Sequence, residues 1–430
     1  MPKRFRTAGW MSIVALAGAA GLPAQDSGTS SPGPQPRPTF RAEANYVRVD
    51  VFPTRDGQPV PDLGAGDFEI LDQGVSQRIE QFEYIRVRGG APQEARREPN
   101  TVAESREMLQ DPRARVFVLF LDVAHVDPAS SRTIRTPLVT LLDDLIGADD
   151  VVAVMTPEMS AGDLTFARRT ATIQGILDRH WWGERNRLNT DDPVESQYTY
   201  CYPSEPGSGT FVSPLAQELI DRRREKRTFD ALEDLVRFLR GVREERKAIV
   251  VVTEGWRLFR PNRALLDADG RPPSVPPIGF DPRTGRLATS DPASPLGARS
   301  ECDRDRMALA MTDTEQQFLL MPDAANRANA SFYPVDPRGL AVFDSPIGPD
   351  RPPPPAVDAA RLRARVANLR TLAEDTDGVA VVNTNNISGM LTRVVADLSA
   401  YYLLGYYATG VQMDGKFHRV TVRVKRPWPG

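Results

Sequence analysis

Arg115-Val-Phe-Val-Leu-Phe-Leu-Asp122, running on through Val-Ala-His-Val-Asp-Pro-Ala-Ser-Ser131, is the stretch on which the fold turns. Its six apolar residues, rich in valine and phenylalanine, predict a strand buried on both faces. The run stops at a carboxylate. Asp127 and Ser130 or Ser131 then offer helix N-caps ahead of a helical spacing through Leu138, Leu141, Leu142 and Leu145. Strand, acidic turn, helix is the opening unit of a parallel α/β domain, in which ligands sit just past the strand C-termini. Asp122 stands where a site belongs.

Outward from this unit the rhythm repeats. Buried-strand candidates are Val116–Leu121, Val151–Met155, Ala248–Thr253, Ser331–Val335 and Val379–Val382, with Leu164–Arg169 as a short antiparallel edge. Helical patterns fall at Ile134–Ile146, Ala171–Arg179, Phe229–Leu239, Met307–Ala328 and Ala359–Glu374. The alternation predicts an α/β fold, a doubly wound and mostly parallel sheet flanked by helices. Both ends read differently. Val47, Val49 and Val51 alternate with polar residues, Phe68–Gly74 and Ile79–Val87 follow as strands, and Tyr401–Tyr407 and His418–Lys425 flank a Met413-Asp-Gly415 turn. These segments predict a small antiparallel β module drawn from the N- and C-terminal segments.

The expected organisation is a signal peptide over 1–24, a flexible Ser/Gly/Pro lead-in over 25–39, a β-sandwich-like segment over 40–88 and a linker over 89–113. An α/β domain over 114–398 follows, with insertions at 181–227 and 259–300, and then C-terminal β strands over 399–430 that can pair with 40–88. Lys3, Arg4 and Arg6 before an apolar Trp10–Leu22 and a small residue at Ala24 make the signal peptide. An uncleaved anchor is the competing reading, although the apolar run is short for a membrane span. The mature chain is expected to lack a transmembrane segment and to be exported, periplasmic or extracellular. Export makes the two cysteines, Cys201 and Cys302, an expected disulfide, with two free thiols as the alternative.

A net charge of -3 over 430 residues implies no polyanionic partner, and no basic stripe interleaved with aromatics points to nucleic acid. Acidic and hydroxyl groups, however, collect at the expected C-terminal edge of the sheet: Asp122, Thr253, Glu254 and Asp336, with Thr228 opening a helix. Oxygen groups from separate loops suit a hard cation. The competing reading is that they cap helices or face water.

The order of these motifs resembles a von Willebrand factor type A domain. Leu121-Asp122 follows a buried strand, Arg227-Thr228-Phe-Asp-Ala-Leu opens a helix, and Arg246-Lys-Ala-Ile-Val-Val-Val-Thr-Glu-Gly255 follows. Leu372-Ala-Glu-Asp-Thr-Asp-Gly378, Tyr401-Tyr-Leu-Leu-Gly-Tyr-Tyr407 and the N-terminal Asp67-Phe and Asp72-Gln-Gly elements resemble the bacterial secreted branch of that family. The resemblance implies a metal-ion-dependent adhesion site built from Asp-x-Ser-x-Ser, a threonine and a further aspartate. Asp122 and Thr228 match this pattern, and Glu254 stands at the aspartate position. Ala124 and Val126 replace the two serines and offer no oxygen. Mg²⁺ or Ca²⁺ is therefore the implied cofactor of a weakened or lost site.

The leading expectation is a non-catalytic, exported protein-interaction module of adhesion or scaffold type, with a protein partner. Trp181, Trp182, Tyr198, Tyr200 and Tyr202 are the candidate partner anchors; a mini-core beneath the insertion is their other reading. One alternative is a metal-dependent hydrolase using Asp122, Glu254 and His125. It lacks a Ser-His-Asp order, a His-Glu-x-x-His motif or a phosphate loop, and the chain has only three histidines. Another is an envelope scaffold acting through its β module.

Overall fold

The computed structural model describes residues 46–426 apart from 56–57, 87–89, 91, 93–95, 111–113, 170–172, 176, 178–181, 186–191, 208–209, 244, 268–277, 281–286, 290–294, 346–351 and 411–418. The signal peptide and lead-in, Trp181, half of the 259–300 insertion and the Met413–Gly415 turn lie outside the described residues. In chain order the main strands are β1 (Tyr46–Val51), β2 (Phe68–Asp72), β3 (Val75–Gln77), β4 (Gln81–Arg86), β5 (Val116–Leu121), β6 (Val151–Met155), β7 (Lys247–Val252), β8 (Ala330–Val335), β9 (Ala400–Tyr407) and β10 (Val420–Val424). The helices used below are α1 (Arg135–Leu145), α2 (Pro193–Cys201), α3 (Pro214–Arg240), α4 (Pro295–Ala310), α5 (Thr314–Arg327), α6 (Pro355–Glu374) and α7 (Ile387–Ser399).

The chain is an α/β protein in which a four-stranded parallel sheet, ordered β8-β7-β5-β6, is flanked by helices and accompanied by small antiparallel sheets. Every residue of β5 and β7 is buried, because the pleat sends alternate side chains into two cores. Val116, Val118 and Phe120 join α3, α5 and α6 on one face; Phe117, Leu119 and Leu121 join α1 and α7 on the other.

Beyond the four strands the sheet thins. Val379–Val382, read as a strand, makes a single parallel bridge, Val335 to Val381. The segment is pinched between left-handed Asp377 (φ 54°) and Asn383 (φ 54°), and a Cβ on Gly378 would lie 1.9 Å from the Phe332 carbonyl oxygen. That approach holds the backbone too close and too bent for a full ladder. Leu164–Arg169 likewise reduces to one antiparallel bridge, Val152 to Ala167.

Two further expectations change. Thr228 lies deep within α3, a 27-residue helix capped at Ser213, whose hydroxyl accepts from Ala216 N, with Pro214 at its first turn. The Arg222–Arg227 run, read as part of an insertion, is helical because its charges are matched: Arg222 to Glu218, Arg223 and Arg227 to Asp192, and Arg224 to Glu195. The expected Met307–Ala328 helix is two helices, broken where Asp313 caps α5 through Gln316 N.

The β module is a sandwich of two three-stranded antiparallel sheets, β1-β9-β4 and β10-β2-β3. Phe68, Ile70, Tyr402, Leu404 and Tyr406 form its core. The buried phenols are satisfied, as burial requires: Tyr402 donates to the Val60 carbonyl (2.8 Å) and accepts from Leu63 N, and Tyr406 donates to Asp72 (3.0 Å). Among the described residues no helix is long and apolar enough to cross a membrane.

Cys201 at the end of α2 and Cys302 in α4 form a disulfide across 101 positions. The bond lies in a satellite core with Tyr198, Tyr202, Leu219, Ile220 and Leu309. Closing a loop of that length corresponds to roughly 4–5 kcal/mol in the chain-entropy model. Reduction, or Cys302→Ser, should therefore lower the unfolding free energy by an amount approaching that figure and shift the denaturation midpoint down, measured by chemical unfolding with and without reductant. An unchanged midpoint would show that the covalent link contributes nothing.

Candidate functional site

Asp122 ends β5 with its carboxylate fully buried. Its Oδ1 lies 2.8 Å from His125 Nδ1 and accepts from Thr228 Oγ1 at 3.0 Å; Oδ2 accepts from Thr253 Oγ1 and Trp256 Nε1, each at 2.8 Å. Two carboxylate oxygens offer about four lone-pair directions, and four protein groups fill them. A short turn at Val123–His125 brings His125 back over its neighbour, and α3 supplies Thr228 from the side. Glu225, one turn before Thr228, approaches His125 Nε2 at 3.5 Å.

The imidazole thus lies between two acids. Burial alone would lower its pKa, but Asp122 and Glu225 outweigh it and raise the value to about 9. Burial would raise the Asp122 carboxyl; His125, Thr253 and Trp256 reverse that and bring it below the usual range.

Glu254 does not join Asp122. Its Oε1 accepts from Asp127 N at 2.8 Å and its Oε2 from Arg185 Nη1. Arg185 also donates to the Asp344 carbonyl (2.9 Å) and carboxylate (3.2 Å). Arg365 (3.0 Å) and Arg338 (3.5 Å) face the same Asp344 carboxylate, and Arg338 chelates Asp336 at 2.8 and 3.0 Å. Burial would raise the Asp344 pKa, but the three guanidinium groups hold it below its ordinary value.

Arg185 arrives on a strap, residues 182–185, laid along the loop after β5. Glu184 N donates to Val123 O (2.7 Å) and Arg185 N to Val126 O (3.0 Å). Only glycine fits at 183, where a Cβ would sit 2.4 Å from the Val126 oxygen.

The residues present do not fit a divalent cation. The Asp122 oxygens are taken by four protein groups, Thr228 spends its hydroxyl on Asp122, and Glu254 is bound to an arginine. Ala124 and Val126 are buried and apolar. Among the described residues no group of three or more His, Cys, Asp or Glu side chains is placed to hold a metal ion. Positive charge is instead supplied from within, by His125 and Arg185.

Of the expected partner anchors, Tyr198, Tyr202 and Trp182 are corrected: all three are buried, Tyr198 donating to Asp305 (2.8 Å) and Tyr202 to Asp303 (2.9 Å). They form the satellite core around the disulfide and the packing under the strap. Among the described anchors Tyr200 is open, at 67% exposure. The sequence reading missed Trp256, Glu225, Arg185 and Arg338, none of which has a local pattern that ties it to Asp122 or Glu254. No known protein family, curated protein or solved structure matches the chain.

Two measurements follow from this geometry. Isothermal titration of Mg²⁺, Ca²⁺ or Mn²⁺ into the metal-stripped chain should give no saturable binding; binding lost in Asp122→Ala would contradict the closed carboxylate. Because the His125 pKa is raised from 6.5 to about 9 in the folded state, its contribution to stability is fully present below pH 6.5 and is lost as pH rises through 9. Unfolding free energy should fall across that window in the native chain, and His125→Gln should flatten this part of the curve.

Proposed function

We propose that the chain is an exported, non-catalytic protein-interaction module, built on a von Willebrand factor type A-like sheet, that meets a protein partner at the C-terminal edge of its parallel strands. One observation carries this reading. Beside the closed cluster, the loop between β8 and α6 turns apolar side chains outward: Leu340 is 59%, Val342 71% and Phe343 60% exposed. Contiguous apolar exposure of this kind marks interaction surfaces.

Residues 340–345 of the loop are tied to their neighbours. Leu340 N donates to Asn385 Oδ1 (2.9 Å), and Asp344 N and Ser345 N donate to the two oxygens of Asp358 (2.9 Å each). Arg338 and Asp344, at its two ends, belong to the arginine-carboxylate cluster. A rigid apolar loop on a charged base loses little conformational entropy on docking. The disulfide suits an oxidising compartment. Against a hydrolase using Asp122, Glu254 and His125 stands their chemistry: Asp122 has no spare acceptor, His125 is held as a cation, and Glu254 is committed to Arg185.

Photo-cross-linking from a benzophenone amino acid at Val342, in cells that make the protein, should capture a discrete partner. Phe343→Asp should abolish capture, while the same probe at exposed Leu319 on α5 should capture nothing. Equal products from both positions, or metal-dependent turnover of phosphoester or peptide substrates by the purified chain, would sink the reading.

A further inference from the structure

A cavity of about 290 Å³ lies at the opposite end of the parallel sheet, between the β module and the strand N-termini. The β1-β9-β4 sheet forms one wall. Cross-strand register aligns Asp50, Leu403 and Glu83 in one row, and Tyr401 opposite Ile85 in the next. Arg115, Phe117, Arg246 and Leu398 form the other wall, with Glu245 and Arg243 beside them. The size is that of a small-molecule site rather than a packing flaw.

The polar groups are unequally engaged. Arg115 is paired with Asp150 (2.5 Å) and donates to the Leu398 carbonyl (2.8 Å). Arg246 donates to Ser331 (2.9 Å) and Tyr333 (2.8 Å), faces Asp397 at 3.6 Å and lies over the Phe52 ring at 3.7 Å. The acids that balance these two arginines, Asp150 and Asp397, lie outside the cavity wall. Around the cavity Arg48, Arg243 and Arg246 stand near Asp50, Glu83 and Glu245. Arg48 and Arg243 approach Glu245, at 4.0 and 3.9 Å.

The Asp50 carboxylate has neither a hydrogen bond nor an ion pair among the described residues, although the residue is half-buried. Burial pushes its carboxyl above the usual range, with Arg48 and Arg246 pulling the other way. A carboxylate drawn out of water without a donor is costly, and a ligand that supplies one relieves it. The adjoining surface, Ile85, Phe117, Leu398 and the Tyr401 ring, is apolar or aromatic.

We propose that this cavity binds a small organic amine, a compact apolar body carrying one primary ammonium group, seated with its charge on Asp50 and its body among Ile85, Phe117 and Leu398. The probe is 2-phenylethylamine, titrated calorimetrically into the purified chain near neutral pH, with 2-phenylethanol and 3-phenylpropionate as neutral and anionic controls. Saturable binding of the amine is expected, with the alcohol weaker by about tenfold or more and the carboxylate silent. Asp50→Asn should weaken the amine to the level of the alcohol, and Ile85→Trp, filling the cavity, should abolish binding. Methyl NMR of the unmodified chain gives a readout independent of whether these variants fold: the Ile85 and Leu398 methyl signals should move with the amine. No saturable binding, equal affinity for the three probes, unchanged affinity in a folded Asp50→Asn, or methyl shifts confined to other regions would each overturn the assignment.

Discussion

The buried Asp122 carboxylate is the constraint on which the sheet edge depends. Its four hydrogen-bonding partners come from the turn after β5, the middle of α3, the end of β7 and the loop beyond β7. A charge in that position is tolerable only because every acceptor is filled and a counter-charge lies in contact. The carboxylate therefore joins three regions far apart in sequence, around residues 122–125, 228 and 253–256. Trp256 adds a second bond to the same junction through its ring, which packs with Phe229 (5.3 Å) and Phe318 (6.5 Å). Polar closure and aromatic packing coincide there, so neither can be altered alone.

A second layer repeats this logic with guanidinium groups. Arg185, Arg338 and Arg365 converge on Asp344, while the Glu254 carboxylate also binds Arg185 and the Asp336 carboxylate binds Arg338. Removing one partner from such a buried set typically costs about 3–5 kcal/mol, because the charge left behind is uncompensated. The strap at 182–185 is thereby bound both by backbone hydrogen bonds and by the arginine it delivers. The loop carrying Leu340, Val342 and Phe343 is anchored on the same cluster, so its apolar tip stands on a base that does not yield.

Much of the scaffold was legible in local sequence. The runs at Val116–Leu121, Val151–Met155, Ala248–Val252 and Ser331–Val335 are apolar, β-branched and bounded by polar residues, and burial on both faces leaves such strands little other reading. The limits of α3 were not legible, since an arginine-rich stretch resembles a solvated insertion until Asp192, Glu195 and Glu218 are seen opposite it. Val379–Val382 misled in the other direction: its composition suits a strand, but the close approach at Gly378 prevents the ladder. At the site, Asp122 and Thr228 are neighbours. Glu254 was drawn away by Arg185, a residue 69 positions earlier whose partner no local pattern reveals.

The central position of β9 in the β module sets the order in which the molecule can assemble. Among the described residues β1 and β4 pair with β9 and not with each other. Tyr402 at the module's centre bonds Leu63 across 339 positions. Such non-local closure costs chain entropy before any contact rewards it, and it slows folding. Until the last thirty or so residues are in place, β1 and β4 lack the strand that pairs them and keep an uncovered apolar face. The strands of the parallel sheet are all present by Val335, but α7, which covers one of its faces, runs directly into β9, so that face and the cavity beneath the β module are closed by the same late stretch of chain.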